Sequence, residues 1–384
     1  MKLIPRKAFF QLHLWAGLTI GLVLVVLAVS GAMLAWRPQL DPKVEPSLKS
    51  VQPGPSRLAP EELIARARAF YPSGSVESVR LFGDPTAPFL VYFTTKDYVH
   101  MNPYTGEVLG VRKRYGDFFG FFEGIHKFLQ IDPSIGEPIT GSTALIFGGV
   151  ILTGLALWWP ATRKALKAGL TLNRKLKGRP WNLNLHKVIG IYAAGVVFVS
   201  VVTGVPIALD WVKNLLYPLT ASVKVVPPKA PVGAEAKFVG VNAIARSIET
   251  VAPATREIYI ALPRRGNVST YYVAQSANHP NARSYLWFNP ADGKLLRYIP
   301  YEKASRGFRL YYWMLSFHTG MIGGWPVQLL LFLGALSVPF LFYTGTASFL
   351  KRKFGRTVRA TAPPREAPLG SAPTAAALEA RPSA

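Results

Sequence analysis

Four apolar runs divide the chain, at residues 14–36, 139–159, 186–211 and 326–350. Each is long enough to cross a bilayer as a helix, which takes about 20 residues. Between the first and second runs, and again between the third and fourth, the pattern turns mixed. Residues 37–57 are Pro-rich and polar and read as a linker. Pro60-Glu61-Glu62 then opens a helix with Leu63, Ile64, Ala67 and Phe70 at helical spacing. Alternating stretches at 76–82, 89–95 and 98–101 read as strands, closed by the turn Asn102-Pro103-Tyr104-Thr105-Gly106. The later mixed segment repeats this order: a helix at 241–251, strands at 257–262, 270–274 and 285–288, and the turn Asn289-Pro290-Ala291-Asp292-Gly293.

The membrane runs repeat as well. Leu12-His13 begins the first and Leu185-His186 the third, with Gly17 and Gly190 four residues after His. A hydroxyl–glycine pair, Ser30-Gly31 or Thr203-Gly204, begins seventeen residues after it, and Arg6 and Arg179 stand seven before it. The second and fourth runs carry Thr153-Gly154 and Thr344-Gly345, and Arg114 and Arg306 stand twelve residues before His126 and His318. The first run is too long for the apolar core of a signal peptide and has an internal copy, so it reads as a retained helix. The expected fold is a four-helix membrane bundle of two parallel repeats, with two small α+β domains on one side. Its segments are 1–36, a domain at 37–125, 126–160, a basic loop at 161–185, 186–211, a second domain at 212–317, 318–350, and a tail at 351–384 that turns Ala/Pro-rich.

A formal charge of +24 raises the question of nucleic acid, and its placement answers it. Lys2, Arg6 and Lys7, the run from Arg163 to Arg179, and Lys351 to Arg359 all flank membrane helices. The positive-inside rule puts these flanks and both termini in the cytoplasm and both domains on the opposite side of the membrane. There is no cysteine, which excludes disulfides, thiolate metal sites, iron–sulfur clusters and covalent c-type haem attachment.

That topology sorts six histidines. His13 and His186 fall at the cytoplasmic level and His126 and His318 at the outer level, each pair able to face across the repeat axis. Two imidazoles presented from facing helices are what a six-coordinate haem b needs, so two haems are expected. One haem, or histidines with a structural role, are the alternatives. Zinc or copper would want three or four protein ligands. Gly17, Gly190 and the hydroxyl–glycine pairs would let a macrocycle approach the helix backbone. Arg6, Arg179, Arg114 and Arg306 are candidate partners for propionates. His100 and His279 read as surface or packing residues. With both axial positions taken, the expected chemistry is electron transfer, from a quinol or a separate cytoplasmic protein, since no G-x-G-x-x-G follows a strand.

Leu12-His13-Leu14-Trp15-Ala16-Gly17, Ser30-Gly31, Thr153-Gly154-Leu155, Leu185-His186 and the two Asn-Pro-x-x-Gly turns resemble the PepSY-associated transmembrane-helix family over nearly the whole chain except the tail. The resemblance implies a bacterial inner-membrane protein linked to iron uptake and similar to ferric-siderophore reductases that carry haem b. Reduction of a ferric siderophore in the periplasm is the implied activity. Some members carry a fused flavoprotein reductase, and none is legible here. Basic residues after Trp211, among them Arg256, Arg264, Arg265 and Arg283, would suit an anionic chelate or partner. PepSY-like domains also bind peptidases, so the competing function is a membrane-anchored binding protein without redox activity. A transporter is the weaker third, because the helices lack midplane carboxylates.

Overall fold

The computed structural model describes residues 6–228, 238–253, 255–263, 268–274 and 279–360; Arg264, Arg265 and the tail from 361 lie outside the described residues. In the first half, α1 (Arg6–Ala35) is followed by α2 (Arg37–Val44), α3 (Pro46–Lys49) and α4 (Pro60–Phe70). Strands β1 (Val76–Phe82), β2 (Phe89–Phe93), β3 (Asp97–Met101) and β4 (Val108–Lys113) lead to α5 (Phe118–Phe128) and α6 (Pro133–Trp158). After α7 (Arg163–Leu170) the second half runs α8 (Gly178–Ala208), α9 (Asp210–Leu219) and α10 (Val241–Val251). Then come β5 (Thr255–Ala261), β6 (Val268–Ala274), β7 (Ser284–Phe288), β8 (Leu295–Ile299), α11 (Arg306–His318) and α12 (Gly324–Ala360).

Helices α1, α6, α8 and α12 are long and apolar enough to cross a membrane. No charged residue interrupts α1 between Lys7 and its end, and a helix apolar on every face needs lipid or protein all round it. In the bundle α1 packs on α6 and α12, and α8 packs on the same two. With four spans, the segments after α1 and after α8 share one side. The loop carrying α7 shares the other, basic side with both ends of the bundle.

The two expected domains are one sheet. Its order is β4-β3-β2-β1-β5-β6-β7-β8, antiparallel throughout. The halves join where β1 meets β5, with Arg80 opposite Tyr259, Ser78 opposite Ala261 and Phe82 opposite Glu257. The five paired positions centre on Arg80 and Tyr259. Each four-stranded half would otherwise expose a bare edge, and pairing the two removes both. Helices α4 and α10 cover one face. Leu63, Ile64, Ile244 and Ile248 pack there on Val79, Val91, Ile260 and Phe288 in a single apolar core. The two helices meet at their starts: Asn242 Oδ1 accepts from the Glu61 amide at 3.1 Å, and the Asn242 amide donates to Glu61 Oε1 at 3.4 Å. Both Asn-Pro-x-x-Gly turns form alike, with Gly106 at φ +73° and Gly293 at φ +69°, where a side chain would be strained.

The Pro-rich segment after α1 is not a plain linker. Prolines at helix starts suit α2 and α3, and ion pairs fix the segment. Arg37 meets Glu123 at 2.5 Å and Lys49 meets Asp41 at 2.9 Å. The Arg112 guanidinium, almost fully buried, bridges Glu45 at 2.8 Å and Asp117 at 2.6 Å. Asp117 also caps α5 by accepting from the Gly120 amide. A single arginine thus ties the segment after α1 to the helix that carries His126.

Candidate functional site

Four histidines form two facing pairs. His13 on α1 and His186 on α8 lie on the basic side, ring centroids 6.1 Å apart with planes at 89°. His126 on α5 and His318 on α11 lie towards the sheet, also 6.1 Å apart, with planes at 41°. All four rings are half-buried.

One motif holds every ring. His13 Nδ1 is 3.0 Å from the Val150 carbonyl and 3.3 Å from Thr153 Oγ1, both on α6. His186 Nδ1 is 3.0 Å from the Leu341 carbonyl and 3.1 Å from Thr344 Oγ1 on α12. His126 meets the Leu27 carbonyl at 2.9 Å and Ser30 Oγ at 3.3 Å on α1. His318 meets the Ser200 carbonyl at 3.0 Å and Thr203 Oγ1 at 3.3 Å on α8.

The hydroxyl protons are already committed, to the carbonyls of Gly149, Phe340, Val26 and Val199 at 2.7–2.9 Å. Both neighbours of each Nδ1 are therefore acceptors, and Nδ1 must carry the proton. That choice of tautomer leaves a bare lone pair on every Nε2. Among the described residues the hydrogen bonds of all four rings are made through Nδ1.

The glycine of each hydroxyl–glycine pair makes room for the ring. A Cβ on Gly31, Gly154, Gly204 or Gly345 would fall 2.9, 3.0, 2.7 or 3.4 Å from Cε1 of His126, His13, His318 or His186. These glycines thus admit an imidazole; for Gly31 and Gly204 the sequence suggests a macrocycle. Gly17, by contrast, has nothing within 4 Å of where its Cβ would stand, and Gly190 has only Leu341 at 3.7 Å.

Those two glycines line a cavity of about 710 Å³ that also contains His13 and His186. Arg6, Lys7, Arg179, Lys187 and Arg352 line it too. Arg6 and Arg179 each stand seven residues before a histidine, two turns along the same helix face. Thr346 and Ser348, also in the lining, have buried hydroxyl oxygens without a hydrogen-bond partner. The cavity can therefore take a large apolar body whose polar end meets cations and hydroxyls.

Arg306 is not brought to the sheet-side pair. Arg306 is exposed at the start of α11, twelve residues and about 18 Å of helix before His318. Arg114 precedes the α5 cap and lies over the Tyr115 ring at 5.5 Å. Equal spacing in sequence is not equal helical register, because α5 begins after a turn and α11 begins at Arg306. Arg37 and Lys127 reach this level through ion pairs with Glu123, which stands one turn before His126, and Arg114 lies within the field of the same carboxylate.

His100 and His279 are buried, not on the surface. Burial pushes the His100 pKa down to about 4, against a bond from Nδ1 to the Leu48 carbonyl that pulls it up. His279 sits between Ser316 Oγ at 2.9 Å and the Tyr301 hydroxyl at 2.6 Å.

Among the described residues no group of three or more His, Cys, Asp or Glu is placed to hold a metal ion. Each pair offers two nitrogens and no more, which falls short of a zinc or copper site and suits a metal that brings its own in-plane donors. A comparison with curated proteins finds no match. A family model described as the PepSY-associated TM region matches residues 10–352, and the chain belongs to that family.

Proposed function

We propose that this protein is a transmembrane haem b electron-transfer protein of the bacterial inner membrane. It reduces a ferric siderophore or similar iron chelate on the periplasmic, sheet side, with electrons from a quinol or a cytoplasmic reductase. The observation that carries this reading is the pairing of bare Nε2 lone pairs at two levels. Each pair brings two such imidazoles to a centroid separation of 6.1 Å within the bundle, where a basic nitrogen without a partner is unfavourable. Two metal–imidazole bonds of about 2 Å each would fit between rings whose centroids lie 6.1 Å apart.

The residues fit the group. His13 with His186 and His126 with His318 would hold one haem each. Arg6, Arg179 and Arg352 would meet propionates at the basic side, and the Thr346 and Ser348 hydroxyls would gain partners there. Held by two imidazoles, haem would supply one-electron transfer rather than chemistry on oxygen or peroxide. Serine 30 stands seventeen residues along α1 from His13, which spaces the two levels by roughly 25 Å. That spans most of a hydrocarbon layer about 30 Å thick. The charge asymmetry of the helix flanks supports a cytoplasmic basic side.

The test is the spectrum and haem content of full-length protein purified in detergent from haem-replete cells. Two low-spin b-type haems per chain, oxidised on adding a ferric chelate to the dithionite-reduced protein, are expected. Haem-free protein would overturn the reading and favour a membrane-anchored binding protein.

A further inference from the structure

The two pairs share a centroid distance and differ in ring angle. Since each ring has its Nδ1–H shared between a carbonyl and a hydroxyl, and a glycine against its edge, it cannot turn freely about the Nε2 direction. We propose that Thr153 and Thr344 hold the basic-side imidazoles crossed while Ser30 and Thr203 hold the sheet-side imidazoles tilted, so that the two haem centres are electronically distinct. This inference rests on the haem reading above.

The physical link is the overlap of each imidazole π system with the iron d orbitals. Each ring donates into the d orbital perpendicular to its own plane. Crossed at 89°, the two rings act on different orbitals and leave them nearly degenerate. Tilted at 41°, they act largely on the same orbital and split the pair. A ferric centre with a nearly degenerate pair gives an electron paramagnetic resonance signal with a large maximum g value, and a split pair gives an ordinary rhombic signal. Outer partners that orient a metal-bound histidine are known to tune the metal. The four hydroxyls are therefore positioning residues, which act only through the rings they hold.

The repeat gives this argument an internal control. Both levels use the same motif with nearly equal lengths, 3.1–3.3 Å to the hydroxyl and 2.9–3.0 Å to the carbonyl. What differs is which helices supply it: α6 and α12 at the basic side, α1 and α8 at the sheet side.

Low-temperature electron paramagnetic resonance of the oxidised, haem-loaded full chain tests the proposal. Two low-spin signals are expected, one of large maximum g and one rhombic, with His13→Ala or His186→Ala removing the first alone. Thr344→Val and Thr153→Val free the ring from its second acceptor and should shift the large-g signal towards the rhombic position, leaving the other unmoved. Thr344→Ser keeps the oxygen and should keep the signal. Two haems with signals of one class, or a large-g signal unmoved by Thr344→Val and Thr153→Val together, would overturn this inference and leave the haem reading standing. Absence of haem would overturn both.

Discussion

Ser30 shares a helix with His13, yet the imidazole it holds is that of His126, in the other pair. Thr203 stands in the same relation to His186 and His318. Each of α1 and α8 therefore serves both levels, giving a histidine at its basic end and a clamp at its sheet end. This double use explains why histidine and hydroxyl–glycine recur at one fixed separation in the two helices.

The clamp glycine makes a selective prediction. A Cβ on Gly204 would fall 2.7 Å from His318 Cε1 and 3.1 Å from Nδ1. The ring must then leave its seat. Gly204→Val should lose the sheet-side haem and retain the basic-side one, so the haem content of the purified protein should fall by half. Gly195→Ala, on the same helix, meets nothing within 4 Å, lies outside the lining of the basic-side cavity and serves as the control, with full content.

Within a pair, effects should not add. One haem needs both imidazoles, so His126→Ala and His318→Ala should each remove the same centre, and the double variant should look like either single one. His13→Ala combined with His318→Ala should remove two. Counting haems across these four proteins checks the assignment. A fully additive loss within one pair would contradict it.

Much of this was legible because it is periodic. The strand at 76–82 and the helices at 60–70 and 241–251 show in the pattern of apolar positions, and the matched depth of four histidines follows from counting spans. The use of the hydroxyl–glycine pairs was misjudged, because what a glycine makes room for depends on a helix distant in sequence. The join between β1 and β5 was also out of reach. It pairs residues about 180 apart, and Arg80 opposite Tyr259 carries no local signal. The twelve residues from Arg306 to His318 are unbroken helix, which carries the guanidinium about 18 Å from the ring, whereas those from Arg114 to His126 include a turn before α5. The hydroxyls of Thr346 and Ser348 could have been noticed as polar residues in an apolar run.

Arg112 connects stability to the site. Its side chain is 6% exposed and meets Glu45 and Asp117, which is itself 12% exposed and caps the helix of His126. Arg112→Ala leaves the Asp117 charge buried without its partner, a change that typically costs about 3–5 kcal/mol. The apparent Tm should fall, and the sheet-side haem should dissociate faster than the basic-side haem. Arg112→Ala with Asp117→Asn, which removes the buried charge, should recover part of the loss. Paired thermal and haem-release measurements check this.

His100 gives the sheet layer a pH dependence. Its ring is 3% exposed, and burial holds its pKa at about 4 in the folded protein, below the 6.5 expected when unfolded. Between those values the unfolded chain binds the extra proton and the folded chain does not. Stability therefore rises with pH through this window and is lost as pH falls from about 6.5 towards 4. A shift of this size corresponds to roughly 3 kcal/mol across the window. Carboxylates titrate in the same range, so the comparison must be with a variant that cannot gain the proton. His100→Asn can keep a donor near the Leu48 carbonyl, which His100 Nδ1 meets at 2.8 Å. The apparent Tm of the wild type should drop more steeply than that of His100→Asn between pH 6.5 and pH 4.5, even if the variant starts lower. Parallel slopes would show that the buried imidazole exerts no such control.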